Sequence, residues 1–145
     1  MIAFRNELWF CSNFYPCQVE FENITYPSSE HAFQAAKTLD LKIRKQIRDL
    51  EKAGDTKKMG HTIKLREDWE EVKVDVMKKI LINKFKKDSE LWLKLKATGT
   101  KTLVEYNEWH DNFFGSCTCV KCGNKGKNVL GMLLMDIRDR SETKI

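Results

Sequence analysis

The segment Tyr26-Pro27-Ser28-Ser29-Glu30-His31-Ala32-Phe33-Gln34-Ala35-Ala36-Lys37 constrains the fold most tightly. A helix starting after Pro27, with Ser28 or Ser29 accepting from its first free N–H groups, sets Glu30, Gln34 and Lys37 on one stripe by helical spacing. Ala32, Phe33, Ala36 and Leu39 fall opposite, on the packing face. A short alanine-rich helix, entered through the aromatic loop Ser12-Asn13-Phe14-Tyr15-Pro16, can hold a carboxylate against a packed core within reach of a ligand. The plain alternative for Glu30 is an exposed glutamate that favours the helix dipole.

The rest of the chain is punctuated mostly as helices. Met1 to Phe4 and Gln18 to Phe21 read as short strands, the second alternating Val19 and Phe21 with Gln18, Glu20 and Glu22, which predicts a small sheet near the N-terminus. Asp40 caps a second helix carrying Ile43, Ile47 and Leu50, with Gly54 placed to end it, and Asp55 caps a short turn. Trp69, Val72, Val76, Met77, Ile80 and Leu81 mark the longest helix, ending near Lys87. Asp88 or Ser89 caps a helix with Leu91, Trp92 and Leu95, stopped by Gly99. Thr102 to Tyr106 reads as a strand, residues 107–127 as a long loop, and Asn128 as the cap of a last helix with Leu130, Leu133, Leu134 and Ile137. The predicted class is α+β, mainly helical: a single compact domain over residues 1–145 with a small N-terminal sheet.

A length of 145 residues, 41% hydrophobic, is enough to bury one core without staples. The sequence shows neither a signal-peptide pattern nor an apolar run of membrane-spanning length, so a soluble, cytoplasmic chain with no membrane partner is expected. Five cysteines, an odd number, argue for reduced thiols rather than a disulfide framework. The formal charge of +5 favours phosphate-bearing partners, yet Lys78, Lys79, Lys84, Lys86 and Lys87 fall in one helix and its end, where they read as a solvated face. No basic-aromatic nucleic-acid motif accompanies them.

A long loop inside a compact domain is often functional. Glu105 closes the strand before it, His110-Asp111 and Phe113-Phe114-Gly115 follow, and Gly123, Gly126 and Asn128 lead into a helix N-terminus. Backbone N–H groups there, with Lys125 and Lys127, make either an anion site or a plain flexible loop. The loop matches neither the Walker nor the dinucleotide-binding glycine pattern. It also carries Cys117-x-Cys119-x-x-Cys122. With His110, Cys11 or Cys17 as a fourth ligand these thiols could form a structural zinc site, but only one Cys-x-x-Cys pair is present, so free thiols, no committed metal and no cofactor are the expectation. A cysteine nucleophile is disfavoured.

Ser-Asn-Phe-Tyr-Pro followed by Tyr-Pro-Ser-x-Glu-His-x-Phe-Gln-Ala-x-Lys resembles the signature of the NADAR, or YbiA-like, family. The resemblance continues through Leu65-Arg66-x-Asp68-Trp69, Thr98-Gly99, Leu103-Val104-Glu105, Asp111 ahead of Phe114-Gly115, and Gly126-x-Asn128-x-Leu130-Gly131-x-x-Leu134-Met135-x-x-Arg138. It implies a YbiA-like fold and an N-glycosidase acting on a ribosylated, phosphate-bearing compound. That compound is either a ribosylamino-pyrimidine intermediate of riboflavin synthesis or an ADP-ribosyl-guanine adduct, for which nucleic acid could be the carrier. By the same resemblance Glu30, Asp111 and Trp69 are the catalytic candidates. Asn13, Phe14, Tyr26, Gln34, Lys37, Arg66, Glu105, Phe114, Gly115, Gly126 and Asn128 are the substrate-binding ones. Phe114 stands where the family often has tryptophan, and His61 follows Gly60 where a basic residue is usual; both bear on substrate identity more than on bond chemistry.

Breaking an N-glycosidic bond passes through an oxocarbenium-like sugar, so one carboxylate must stabilise charge or activate water while a second group serves the departing nitrogen. Glu30 fits the first role. Asp111, with Glu105 as rival, fits the second. For Glu105 the structural alternative is a buried ion pair with an arginine such as Arg66, and for Trp69 it is an ordinary core position. Trp9 and Trp92 read as packing, and Trp109 as packing or loop anchoring. Two other classes fit the same residues: a non-catalytic ADP-ribose or NAD-binding module, and a small zinc-dependent nucleic-acid binder. The oligomeric state is not legible.

Overall fold

A computed structural model describes residues 4–140. The chain divides into two compact units, one comprising Asn13–Lys84 and the other the described residues up to Ser12 together with those from Phe85 onward.

The Asn13–Lys84 unit begins with an antiparallel hairpin of β1 (Pro16–Phe21) and β2 (Ile24–Ser28), in which Val19 faces Tyr26 and Phe21 faces Ile24. The period-2 alternation holds: Val19 and Phe21 are buried and Gln18, Glu20 and Glu22 exposed. The sequence does not announce β2, although Ile24, Tyr26 and Ser28 alternate inward along it. Its turn is the reason. Glu22 and Asn23 both take positive φ (48° and 72°), the geometry of a tight two-residue hairpin, without the Asn-Gly or Asp-Gly signal that usually marks one. Of the other expected strand, Met1 to Phe4, residues 1–3 lie outside the described residues, and Phe4 is a buried residue outside any strand.

β2 runs directly into α1 (Ser29–Ala35), whose cap is Ser28: its Oγ accepts from the His31 N–H at 3.1 Å. Every residue of α1 is buried, the polar Glu30 and Gln34 included. The helix ends before Leu39, which is 65% exposed and so does not belong to the expected packing face. α1 packs on β1, β2, α2 (Leu41–Arg48), α3 (Ala53–Gly60) and α4 (Trp69–Lys84). Asp40 caps α2 as expected, accepting from the Lys42 N–H at 2.9 Å. Gly54 does not end α2, and Asp55 is not a cap; both lie inside α3. α2 ends at Arg48, and the Leu50 carbonyl just beyond it is met by the His31 ring. In α4, Val76, Met77, Ile80 and Leu81 form the buried face, and the helix ends at Lys84 rather than near Lys87. Lys84 departs from the expected solvated face: it is buried, with Nζ 5.7 Å from the centre of the Tyr15 ring.

In the second unit a 3-10 turn (Asn6–Cys11) sets Phe10 edge-on to Phe85 at 6.3 Å. α5 (Glu90–Ala97) is capped by Ser89, which accepts from the Trp92 N–H, and stops ahead of Gly99 in left-handed conformation. α5 packs on α6 (Val129–Asp139). The buried Arg138 fastens the turn after α5, donating to Thr98 Oγ1 at 3.0 Å and to the Lys101 carbonyl at 2.8 Å. The expected strand over Thr102 to Tyr106 is reduced to β3 (Tyr106–Asn107), paired in parallel with β4 (Ser116–Cys117) inside the long loop. A side chain has replaced the strand partner. The Asn128 amide donates to the Leu103 carbonyl and its Oδ1 accepts from the Glu105 N–H, both at 2.9 Å. Asn128 does precede α6, but with φ of 54° and its side chain so engaged it makes no capping bond. Among the packing tryptophans Trp92 is buried, whereas Trp9 and Trp109 are exposed.

Candidate functional site

Glu30 sits in the first turn of α1, where the helix dipole favours a negative charge, yet it is only 7% exposed. Its own N–H donates to the Asn13 carbonyl at 2.9 Å, tying the helix start to the aromatic loop. One turn on, Gln34 Nε2 donates to Glu30 Oε2 at 2.6 Å. Gln34 is held from behind by Gly60 of α3, where any Cβ would overlap its carboxamide. The carboxylate is therefore oriented by a side chain that is itself packed in place.

The surroundings are polar beyond what packing needs. In this unit Asn13 Oδ1, Tyr26 Oη, Ser29 Oγ, Gln34 Oε1, Arg44 Nη2 and Thr56 Oγ1 are buried with no hydrogen-bond partner in the protein. Each such atom costs about 1–3 kcal/mol of desolvation unless a water or a ligand meets it. Lys37 stands just beyond the helix end, half-buried, with Nζ 5.9 Å from the centre of the Phe33 ring. Burial lowers its pKa, the negative charge of Glu30 opposes that, and Lys57 adds to the lowering. The stripe expected from helical spacing is thus a buried pair, Glu30 and Gln34, with a cation at its end.

Phe33 leads to Trp69, with ring centres 5.1 Å apart at 57°. Trp69 is 5% exposed and stands against Phe33. Arg66 forks onto Asp68, with Nε to Oδ1 at 2.6 Å and Nη2 to Oδ2 at 3.0 Å. The same residue fastens the end of α1: its N–H donates to the Lys37 carbonyl at 2.7 Å and Nη1 to the Ala36 carbonyl at 3.4 Å. Arg66 and Asp68 also line an open groove of about 640 Å3 with Thr38, Asp40, Ile43 and Lys64.

Tyr26 is wholly buried in β2, and burial raises its pKa. Phe14, by contrast, is exposed. Asn13 donates through Nδ2 to Met77 Sδ at 3.7 Å. His31, given no role from sequence, joins α1 to the turn after α2. Its ring nitrogens lie 2.7 Å from Ser28 Oγ and 2.9 Å from the Leu50 carbonyl. A carbonyl only accepts, so Nε2 carries the proton and Nδ1 accepts from the Ser28 hydroxyl. Burial raises the Cys17 thiol pKa, only partly offset by Lys84.

In the other unit Asp111 turns its carboxylate onto its own loop. Oδ1 accepts from the N–H groups of Phe113 and Phe114, both at 3.1 Å, and the Asn107 side chain donates to the Asp111 carbonyl at 2.9 Å. Phe113 and Phe114 meet edge-to-face at 4.8 Å. Gly115 and Gly126 are required by close backbone approach: a Cβ on the first would meet the Glu105 carbonyl, and on the second the Gly115 carbonyl. Glu105 is half-buried, and its N–H is fixed by Asn128. The start of α6 does not offer its donors to an anion as expected. The N–H groups of Lys127, Asn128, Val129 and Leu130 already donate to the carbonyls of Asn112, Gly115, Phe113 and Phe114 at 2.8–3.1 Å. Gly126 and Asn128 thereby hold the loop to the helix.

The loop also gathers His110, Cys117, Cys119 and Cys122, whose ligand atoms lie within 4.8 Å of one another, a set able to hold a metal ion. Gly60, packed against Gln34, is a site residue to which the sequence gave no role. Among the described residues no helix is long and apolar enough to cross a membrane.

The family model of the NADAR domain matches residues 4–141. N-glycosidase YbiA of Shigella sonnei is 42% identical over 132 residues, covering 89% of this chain and 79% of that protein. Riboflavin biosynthesis protein VVA0006 of Vibrio vulnificus is 33% identical over 132 residues, covering 90% of this chain and 35% of that one. The NMR structure of E. coli YbiA superposes with a TM-score of 0.79 at 38% identity, covering 96% of this chain and 81% of that one.

Proposed function

The chain belongs to the NADAR domain family, and from that premise we propose that it is an N-glycosidase, a hydrolase of ribosylated nitrogen compounds, with Glu30 as its catalytic carboxylate. The observation that carries this reading is the buried Glu30–Gln34 pair, a carboxylate fixed at 2.6 Å by an amide that Gly60 backs. As the C1′–N bond breaks, its electron pair leaves with the nitrogen, which takes up a proton, and positive charge develops on the sugar. Glu30 faces that charge and accepts a proton from the attacking water, whose oxygen closes onto C1′. Gln34 positions the carboxylate, and Lys37, its proton less firmly held than usual, meets phosphate or ribose oxygens. Asp111 is a positioning residue: by binding two successive N–H groups it sets the Phe113–Phe114 pair.

The substrate is phosphate-bearing. Its two candidate classes are an ADP-ribosyl-guanine adduct, free or on nucleic acid, and a ribosylamino-pyrimidine intermediate of riboflavin synthesis; the relative named for riboflavin biosynthesis supports the second. Incubating purified protein with both classes side by side and separating products by chromatography tests the reading. Release of free base or sugar phosphate from one class is expected. Ligand binding seen by calorimetry with no product from either would overturn it in favour of a non-catalytic binding module.

A further inference from the structure

We propose that His110, Cys117, Cys119 and Cys122 form a closed, four-coordinate zinc site that holds the long loop of the second unit in shape. His110 Nδ1 lies 3.4 Å from Cys122 Sγ, 3.6 Å from Cys119 Sγ and 3.7 Å from Cys117 Sγ. A tetrahedral centre with Zn–N near 2.0–2.1 Å and Zn–S near 2.3 Å separates nitrogen from sulfur by about 3.6 Å. The three distances straddle that edge length, and all four ligand atoms fall within 4.8 Å of one another. Three sulfurs arranged about one imidazole nitrogen is not how a disulfide and a spare thiol sit, and all three cysteines are free. Three thiolates and an imidazole select zinc over the harder divalent ions.

The backbone is shaped for the same purpose. Cys117 is buried in β4, its N–H held by Asn112 Oδ1 at 2.9 Å. The chain then folds back on itself: the Gly123 N–H donates to the Cys119 carbonyl and the Asn124 N–H to the Cys117 carbonyl, both at 2.9 Å. Gly123 and Asn124 both take left-handed φ to do so. The Cys122 N–H points at Cys119 Sγ at 3.4 Å, a donor that stabilises a metal-bound thiolate. His110 itself holds φ of 69°, a strained value for a non-glycine residue, in the conformation that brings Nδ1 to the sulfurs. With four protein ligands the site has no open position, so its role is structural. Binding converts three thiols to thiolates and releases their protons, leaving the imidazole neutral.

The proposal is independent of the glycosidase reading, and its test reads metal rather than activity. Elemental analysis of the purified full chain is expected to give about one zinc per chain. Cobalt(II) added to the chelator-stripped chain should give the thiolate charge-transfer band and tetrahedral d–d bands of a sulfur-rich site. Cys119→Ser and Cys122→Ser should lose those bands and melt lower, and His110→Cys should keep the metal. Should the serine variants not fold, the cobalt titration of the unaltered chain still decides. A chain that purifies without zinc, gives no such bands and melts identically with and without chelator would overturn the proposal.

Discussion

Gln34 touches Glu30 on one side and Gly60 on the other, so the orientation of the carboxylate depends on a residue with no side chain. Gly60→Ala puts a methyl group where the carboxamide lies. The expected result is a loss of about 1–3 kcal/mol in stability together with a fall in kcat, as Gln34 is pushed from Glu30. Thermal melts and initial rates check it, and unchanged kcat would separate Gln34 from the chemistry. Asp111 separates positioning from reaction more simply. Asn keeps an Oδ1 that can accept from Phe113 and Phe114, so Asp111→Asn should retain most activity. Asp111→Ala should lose about 1 kcal/mol of stability with the loop's turn. An inert but stable Asp111→Asn protein would return Asp111 to the reacting groups.

At the scale of elements, the loop and α6 are joined by one side chain. Asn128 supplies the Leu103 carbonyl and the Glu105 N–H with the bonds a strand would have given. Asn128→Ala leaves both unpaired and retains the left-handed backbone, for an expected loss of about 2–4 kcal/mol in denaturant unfolding, whereas Asn128→Gly relieves the backbone and loses less. This contact shows where sequence reading stops. Helix caps were legible because Ser28, Asp40 and Ser89 act on N–H groups two or three residues away. Strand pairing by an asparagine more than twenty residues on leaves no local trace, and the apolar run Leu103-Val104 then looks like an ordinary strand. The hairpin turn at Glu22-Asn23 escaped because Asn23, a type that tolerates positive φ, follows Glu22, which does not, and has no glycine beside it. Glu30, Gln34 and Lys37 were legible because they follow helical spacing. Their burial was not, because it comes from the five elements packed around α1.

At the scale of the whole molecule, His31 is expected to contribute to acid sensitivity above the carboxylate range, beside the proton-linked zinc site. Burial holds its pKa below the ordinary value near 6.5, with the Leu50 carbonyl opposing in part. As pH falls past about 6.5 the unfolded chain takes up this proton before the folded one does. The stability contribution is therefore intact above that pH and is lost as pH falls through the lowered folded value. The depressed pKa values of Asp49 and Asp68, each from a hydrogen-bonded arginine, act only at still lower pH. Urea unfolding at about pH 7.5 and about pH 5.5 should show a lower midpoint in acid, with the difference shrinking in His31→Gln. An unchanged difference in that variant would assign the acid limb elsewhere.

The family model spans residues 4–141 and so includes both compact units, but the reaction is placed on a single buried carboxylate, and Glu30→Gln examines that placement directly. Glutamine preserves the shape of the side chain and an oxygen to accept from Gln34, so the variant should fold and melt like the parent. Its release of free base from the substrate that the parent cleaves should fall by at least about 100-fold. Parental turnover in a folded Glu30→Gln protein would contradict the account.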